Sequence, residues 1–300
     1  MNKIFNSMIA FAITVLSLSA CGTMPSNNNS SLSVLASTTF LADIAQNVAG
    51  DRVKVESLLP IGADPHSYQA APSDVAKIEE SKVLILNGLE YENFIRPLLE
   101  NAGGKRLVIE ATAGLNPKVN TGNEHGVDPH MWLDPNLVIT YVENIRNGLS
   151  QADPTGAEIY KANADAYIAQ LKELNAWIVE QVSTIPADRR LLVTNHESLG
   201  YFAEHYGFKV TGSVIPSFSS NAAPSAQEMA SLIDAIKGLN APAIFLDTAD
   251  NDALAKQIAD ETGVMIIGDL HLESLTDGAP AATYLNMMKY NVSKIVEALK

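Results

Sequence analysis

Residues Thr155 to Ile185 read TGAEIYKANADAYIAQLKELNAWIVEQVSTI. The stretch follows Asp153-Pro154, contains no proline, and carries its one glycine, Gly156, at the very start. Apolar residues recur at helical spacing through Ile159, Ala162, Ala166, Ile168, Leu171, Leu174, Ile178 and Val182. A helix of about 28 residues would be about 42 Å long, too long for one layer of a small domain. The spacing predicts a rigid connector, residues 155–185, between two lobes. Two ordinary helices with an unmarked bend would give the same pattern.

On both sides of this stretch strand-like and helix-like segments alternate, which predicts parallel α/β architecture. Before it, strand candidates are Leu32–Ala36, Val53–Leu59, Val83–Leu86 and Leu107–Ile109. Helices are expected over Phe40–Val48, from an N-cap at Ser73 to Ser81, over Tyr91–Asn101, and from Pro135 as first helical residue. Gly114 to Asp128 reads as polar loop. After it, Leu191–Thr194, Lys209–Thr211, Ala243–Leu246 and Val264–Ile267 are strand candidates, with helices clearest at Ser225–Lys237 and Ala253–Glu261. The expected fold is α/β, with two lobes, 32–154 and 186–300, each a parallel sheet flanked by helices. A cleft would lie between them, and ligands of parallel sheets sit beyond the carboxyl ends of the strands.

The chain opens with Lys3, the apolar run Met8–Leu18, and Leu18-Ser19-Ala20-Cys21. That is the pattern of a bacterial lipoprotein signal over residues 1–20, with Cys21, the single cysteine, as the lipidated residue. The Asn- and Ser-rich stretch 21–31 reads as a flexible tether. These features place the protein in the cell envelope, lipid-anchored on the extracytoplasmic side of a membrane, periplasmic or at the cell surface. A single cysteine excludes an internal disulfide. The formal charge is −14, and −15 once Lys3 leaves with the signal. An acidic body of this kind disfavours nucleic acid and anionic lipid surfaces.

Asp-Pro-His occurs twice, as Asp64-Pro65-His66 and Asp128-Pro129-His130, in a chain with six histidines. A third histidine, His196, directly follows the strand candidate Leu191–Thr194. His66 follows the Val53 strand, and His130 ends the loop after the Leu107 strand, so all three occupy strand-to-helix loops. Three imidazoles and one carboxylate would close a tetrahedral site for a borderline divalent cation in the inter-lobe cleft. The fourth ligand is expected from the last such loop, where spacing alone leaves Asp269, His271 and Glu273 open.

From about Leu32 to Lys300 the chain resembles the zinc- and manganese-binding solute-binding lipoproteins of bacterial ABC importers. The resemblance rests on Asp64-Pro65-His66-Ser67-Tyr68, Asn87-Gly88-Leu89-Glu90, Asp128-Pro129-His130-Met131-Trp132-Leu133-Asp134-Pro135, and His196-Glu197-Ser198-Leu199-Gly200. Glu273-Ser274-Leu275 and Thr283 to Asn291 complete the set. It implies His66, His130 and His196 as metal ligands, and its register points to Glu273 as the fourth. His125 falls where some zinc-type relatives carry a His-rich loop, which is nearly absent here. The resemblance also implies a monomer that hands its cation to a separate ABC permease. The nitrogen-rich donor set favours zinc, with manganese as the alternative.

Two rival readings fit the sequence less well. A zinc hydrolase would need an open coordination position, and His196-Glu197 fails the His-Glu-x-x-His pattern because position 200 is glycine. A role in cell adhesion, as a surface adhesin, has no host-binding feature in the sequence and leaves the histidines unexplained.

Overall fold

The computed structural model describes residues 32–120 and 126–300. The lipoprotein signal 1–20, the tether 21–31 with Cys21, and His125 lie outside the described residues. Among the described residues, no helix is long and apolar enough to cross a membrane.

The first half runs β1 (Val34–Ala36), α1 (Thr39–Ala49), β2 (Val55–Ser57), α2 (Pro72–Glu80), β3 (Val83–Leu86), α3 (Arg96–Asn101) and β4 (Leu107–Glu110). A two-residue antiparallel pair, β5 (Val119–Asn120) and β6 (Gly126–Val127), precedes α4 (Pro135–Ala152). Strands β2-β1-β3-β4 make one all-parallel sheet in that order. After α5 (Ala157–Ser183) come β7 (Leu191–Thr194), α6 (Gly200–Tyr206), β8 (Lys209–Ser213), α7 (Ala226–Leu239), β9 (Ala243–Asp247), α8 (Ala253–Thr262), β10 (Met265–Leu270) and α9 (Tyr284–Leu299). A second parallel sheet has the order β10-β9-β7-β8.

The strands alternate between two apolar layers, as a sheet covered on both faces must. Val34, Ala36, Val83 and Ile85 face a central layer, whereas Leu35, Leu84 and Leu86 face α2 and α3. In the second sheet Phe245 faces that same central layer, and Ile244 and Leu246 face α7 and α8. The central layer consists of α1, α4, α5 and α9 packed on one another. One apolar core therefore runs without interruption from one sheet to the other.

The long helix is a single unbroken element of 27 residues, about 40 Å in length. Its buried stripe is Tyr160, Ala164, Tyr167, Leu171, Leu174, Ile178 and Val182. The second half is the stripe expected from the spacing, but the first half is rotated. Ile159 is 45 % exposed, and Ala162 and Ala166 also face outward. The two tyrosine rings supply more apolar surface than the alanines, so they take the inward positions. Tyr160 keeps its hydroxyl satisfied by donating to Asp153 at 2.8 Å.

Three local expectations are corrected. Helix α2 opens at Pro72 rather than being capped by Ser73, because proline's fixed φ suits the first helical position. The Asp74 carboxylate then accepts the Ala71 N–H at 2.8 Å and so acts as the cap. The expected helix Tyr91–Asn101 is a 3-10 turn, Tyr91–Phe94, followed by α3, since Pro97 has no N–H to continue the ladder through that point. The polar loop 114–128 contains the short β5–β6 pair. By contrast, α4 starts at Pro135 as its spacing predicts, and the Asp134 side chain caps it by accepting the Asn136 N–H at 2.9 Å.

Trp132 joins the two halves. It is fully buried and stacks on Phe40 with ring centroids 4.5 Å apart. Its indole Nε1 donates to the Leu272 carbonyl at 2.7 Å, and its own carbonyl accepts the Tyr284 hydroxyl at 2.7 Å. Substituting Trp132→Phe keeps the stack but leaves a buried carbonyl unpaired beside a small void. A loss of about 2–3 kcal/mol is expected in urea unfolding of the metal-free protein; a loss under about 0.5 kcal/mol, the range of surface changes, would refute this role.

Candidate metal centre

Four loops at carboxyl ends of strands converge. His66 lies after β2, His130 directly before the 3-10 turn that leads into α4, His196 two residues past β7, and Glu273 three past β10. One side-chain donor atom from each lies within 4.8 Å of all the others. Glu273 Oε1 is 3.0 Å from His196 Nε2, 3.3 Å from His66 Nε2 and 3.4 Å from His130 Nε2. The His130 and His196 Nε2 atoms are 3.3 Å apart. A tetrahedral ion with bonds of about 2.0–2.1 Å would hold its ligand atoms about 3.3–3.4 Å apart, so these four separations already match or slightly undershoot that cage.

Each loop is shaped by its own sequence. In both Asp-Pro-His tripeptides the aspartate folds back to accept the histidine's backbone N–H, at 2.8 Å for Asp64 and 3.0 Å for Asp128. The two then diverge. Asp128 Oδ1 also sits 2.9 Å from His130 Nδ1 and orients that ring, whereas Asp64 Oδ2 accepts from Ser220 Oγ, at 2.9 Å, in the second half of the chain. Asn87 supports the His130 loop by donating to the Pro129 carbonyl at 3.1 Å. Gly88, Leu89 and Glu90 all have positive φ, and the Glu92 carboxylate, accepting the Asn87 and Gly88 N–H groups, stabilises this turn.

Glu273 is placed by Asp247 at the end of β9, whose carboxylate accepts the backbone N–H groups of Leu272 and, at 3.3 Å, Glu273. Its second oxygen, Oε2, accepts the Tyr91 hydroxyl at 3.1 Å. The other two candidates in this loop point elsewhere. Asp269 pairs with Lys294 Nζ at 2.6 Å and accepts from Tyr290 at 2.8 Å, and the His271 ring packs beside Tyr290. Tyr91, Asp247 and Asp250 carry no sequence motif that marks them as supports of the site. The available signal was that Asp247 and Asp250 follow a buried strand, the position that yields the histidines elsewhere.

Charge inside the cage is tightly balanced. Burial alone would raise the Glu273 pKa, but attraction to His66 and hydrogen bonds with His130, His196 and His66 outweigh it and hold the carboxyl well below its usual range. Burial would lower the His130 pKa, yet hydrogen bonds to Asp128 and Glu273, with their charges, lift it from 6.5 to about 9. At neutral pH the metal-free cage therefore carries a proton on His130, which a cation must displace. Apparent affinity for a divalent metal is expected to rise about tenfold per pH unit from pH 6 to 8 and to level off near pH 9, with about one proton released per ion near pH 7.5. Chelator competition across that range, with calorimetry in buffers of different ionisation enthalpy, measures both; pH-independent affinity without proton release would refute it.

The chain matches the family described as zinc-uptake complex component A periplasmic, ZnuA, over residues 34–298. It is 36 % identical over 297 residues to the manganese-binding lipoprotein MntA of Halalkalibacterium halodurans, covering 97 % of each chain. The iron-binding protein YfeA of Yersinia pestis is 32 % identical, over 97 % of this chain and 94 % of that one. The periplasmic zinc binding protein TroA from Treponema pallidum superposes with a TM-score of 0.81 at 29 % identity, over 89 % of this chain and 98 % of that one. Two parallel sheets, a long central helix and a buried cluster of three histidines and a carboxylate thus accompany a family match spanning nearly all described residues, and the chain belongs to the zinc-uptake complex component A family, whose members are substrate-binding proteins of ABC transporters and not enzymes.

Proposed function

We propose that this protein captures a divalent transition-metal ion between its lobes, with His66, His130, His196 and Glu273 as ligands, and passes it to the permease of an ABC importer. The organisation that suits this task is a lobe 32–154, the connector 155–185 and a lobe 186–300, preceded by the signal 1–20 and the tether 21–31. Lipidation at Cys21 would keep a monomer at the outer side of the membrane that holds the permease. The observation that carries the reading is the mutual approach of four ligand atoms from four separate loops within 4.8 Å. Such convergence of buried imidazoles on a carboxylate has a ready purpose in a cation and little use in packing.

Zinc suits the donor set best. Three imidazoles with one carboxylate oxygen make a four-coordinate site, and the Tyr91 hydroxyl on Glu273 Oε2 favours binding through Oε1 alone. Manganese prefers more oxygen donors and a higher coordination number. Manganese remains the second reading because MntA and the PsaA lipoproteins, all similar to this chain, are named for that metal.

Titration of the purified protein with zinc and manganese, alone and in equimolar competition, tests the assignment. Zinc should displace manganese; manganese retained against equimolar zinc would overturn the preference, and failure to bind either would overturn the whole reading. Glu273→Gln should weaken zinc binding by more than about a hundredfold, beyond the range for groups that only support a ligand. Unchanged affinity in that variant would remove Glu273 from the ligand set.

A further inference from the structure

The three imidazoles facing Glu273 are not secured equally from behind. His130 has Asp128 at 2.9 Å from Nδ1. His196 is 2 % exposed, and its Nδ1 is buried with no hydrogen-bond partner among the described residues. A carboxylate faces it: Asp250 Oδ1 stands 3.9 Å from that nitrogen, beyond hydrogen-bond range. The Asp250 side chain is itself 5 % exposed. It is also aimed, since Oδ1 accepts from Asn195 Nδ2 at 2.7 Å and Oδ2 accepts the Asp247 N–H at 2.7 Å. Asn195 is the neighbour of His196 in the chain, and Asp247 is the residue that positions the Glu273 backbone. Asp250 therefore belongs to the same buried framework as the cage while touching no ion position.

Loading would narrow this gap, and a small turn of the His196 or Asp250 side chain would then bring the pair within hydrogen-bond range. His196 Nε2 lies 3.0 Å from Glu273 Oε1, closer than the roughly 3.3–3.4 Å that a shared tetrahedral ion imposes. An entering ion forces these two atoms apart. Nε2 and Nδ1 point to opposite sides of an imidazole, so a ring pushed back at Nε2 advances at Nδ1. An Nδ1–H directed at a carboxylate also leaves the lone pair on Nε2, the form in which the ring can bind a metal.

We propose that Asp250 is the positioning residue of His196: when the cage fills, the His196 Nδ1–H closes onto Asp250 Oδ1, which holds the tautomer and ring orientation that present Nε2 to the ion. The inference rests on the reading of the four residues as a metal site. It adds a carboxylate–histidine–metal relay on the second lobe to match the Asp128–His130 pair on the first.

Zinc is the probe, because it is diamagnetic and permits histidine-selective nitrogen NMR on the purified protein. In the wild type, zinc should produce a slowly exchanging, downfield Nδ1–H signal from His196 that the metal-free protein lacks. Asp250→Ala should abolish that signal and weaken zinc binding about 10- to 100-fold. Asp250→Asn, which keeps an acceptor oxygen, should recover part of both. Asn195→Ala disturbs the same loop packing but leaves the Asp250 carboxylate, and should retain the signal. If zinc-loaded wild type shows no such signal, or if Asp250→Ala binds zinc as tightly as wild type, the positioning role is wrong while the metal site stands. If wild type binds no zinc at all, the site reading fails and the relay with it. The wild-type spectrum decides the matter even if Asp250→Ala does not fold.

Discussion

A carboxylate at 5 % exposure has to find partners for its charge, and Glu273 is that carboxylate here. A buried, unpaired carboxylate would be strongly unfavourable or would take up a proton. Glu273 remains charged because three imidazoles and a phenol surround it, and those groups reach it only from four separate strand-to-helix loops. The cage is thus a mutual requirement. The histidines need an anion to be buried together, the anion needs them, and each loop must end in the right place for either to hold. A divalent cation entering such a cluster would displace protons from it, because imidazole binds metal in its neutral form.

The architecture that brings the loops together is one shared helical layer between two parallel sheets. Because α1, α4, α5 and α9 pack against one another and against both sheets, the two sets of strand ends are held to a common core. Trp132 reinforces this next to the site. It is two residues from His130, and its indole holds the carbonyl of Leu272, the residue before Glu273. The His130 loop and the Glu273 loop are therefore linked through a buried side chain. The latch from Asp64 to Ser220 adds a second bridge at the His66 loop.

Much of this order was legible in the chain. Strand positions in both sheets, the start of α4 at Pro135 and the length of α5 follow from local chemistry: runs of buried aliphatics, a proline suited to a first turn, and a stretch without helix breakers. Local chemistry misleads where a side chain's contribution depends on its surroundings. Tyr160 and Tyr167 take the inward stripe of α5 because, although tyrosine reads as half polar in a sequence, in the core its ring dominates. The helix expected from Tyr91 splits because Pro97 limits where regular bonding can begin, and Asp74, three residues after the cap position, caps α2 in place of Ser73.

For the site, residue types were readable and their relations were not. The doubled Asp-Pro-His, the histidine after Leu191–Thr194 and a carboxylate or histidine in the last loop could be named from the sequence, since turn geometry and strand ends are local properties. Whether Asp269, His271 or Glu273 faces the histidines is beyond local chemistry, because it depends on where β10 ends and how the chain past Leu270 turns against Asn291 of α9. Only tertiary packing turned Asp269 and His271 toward Tyr290 and Glu273 toward His66. The roles of Tyr91, Asp247 and Asp250 were decided the same way. Each acts across a sequence separation or strand crossover that no periodicity encodes, through contacts that exist only once both sheets close on the same core.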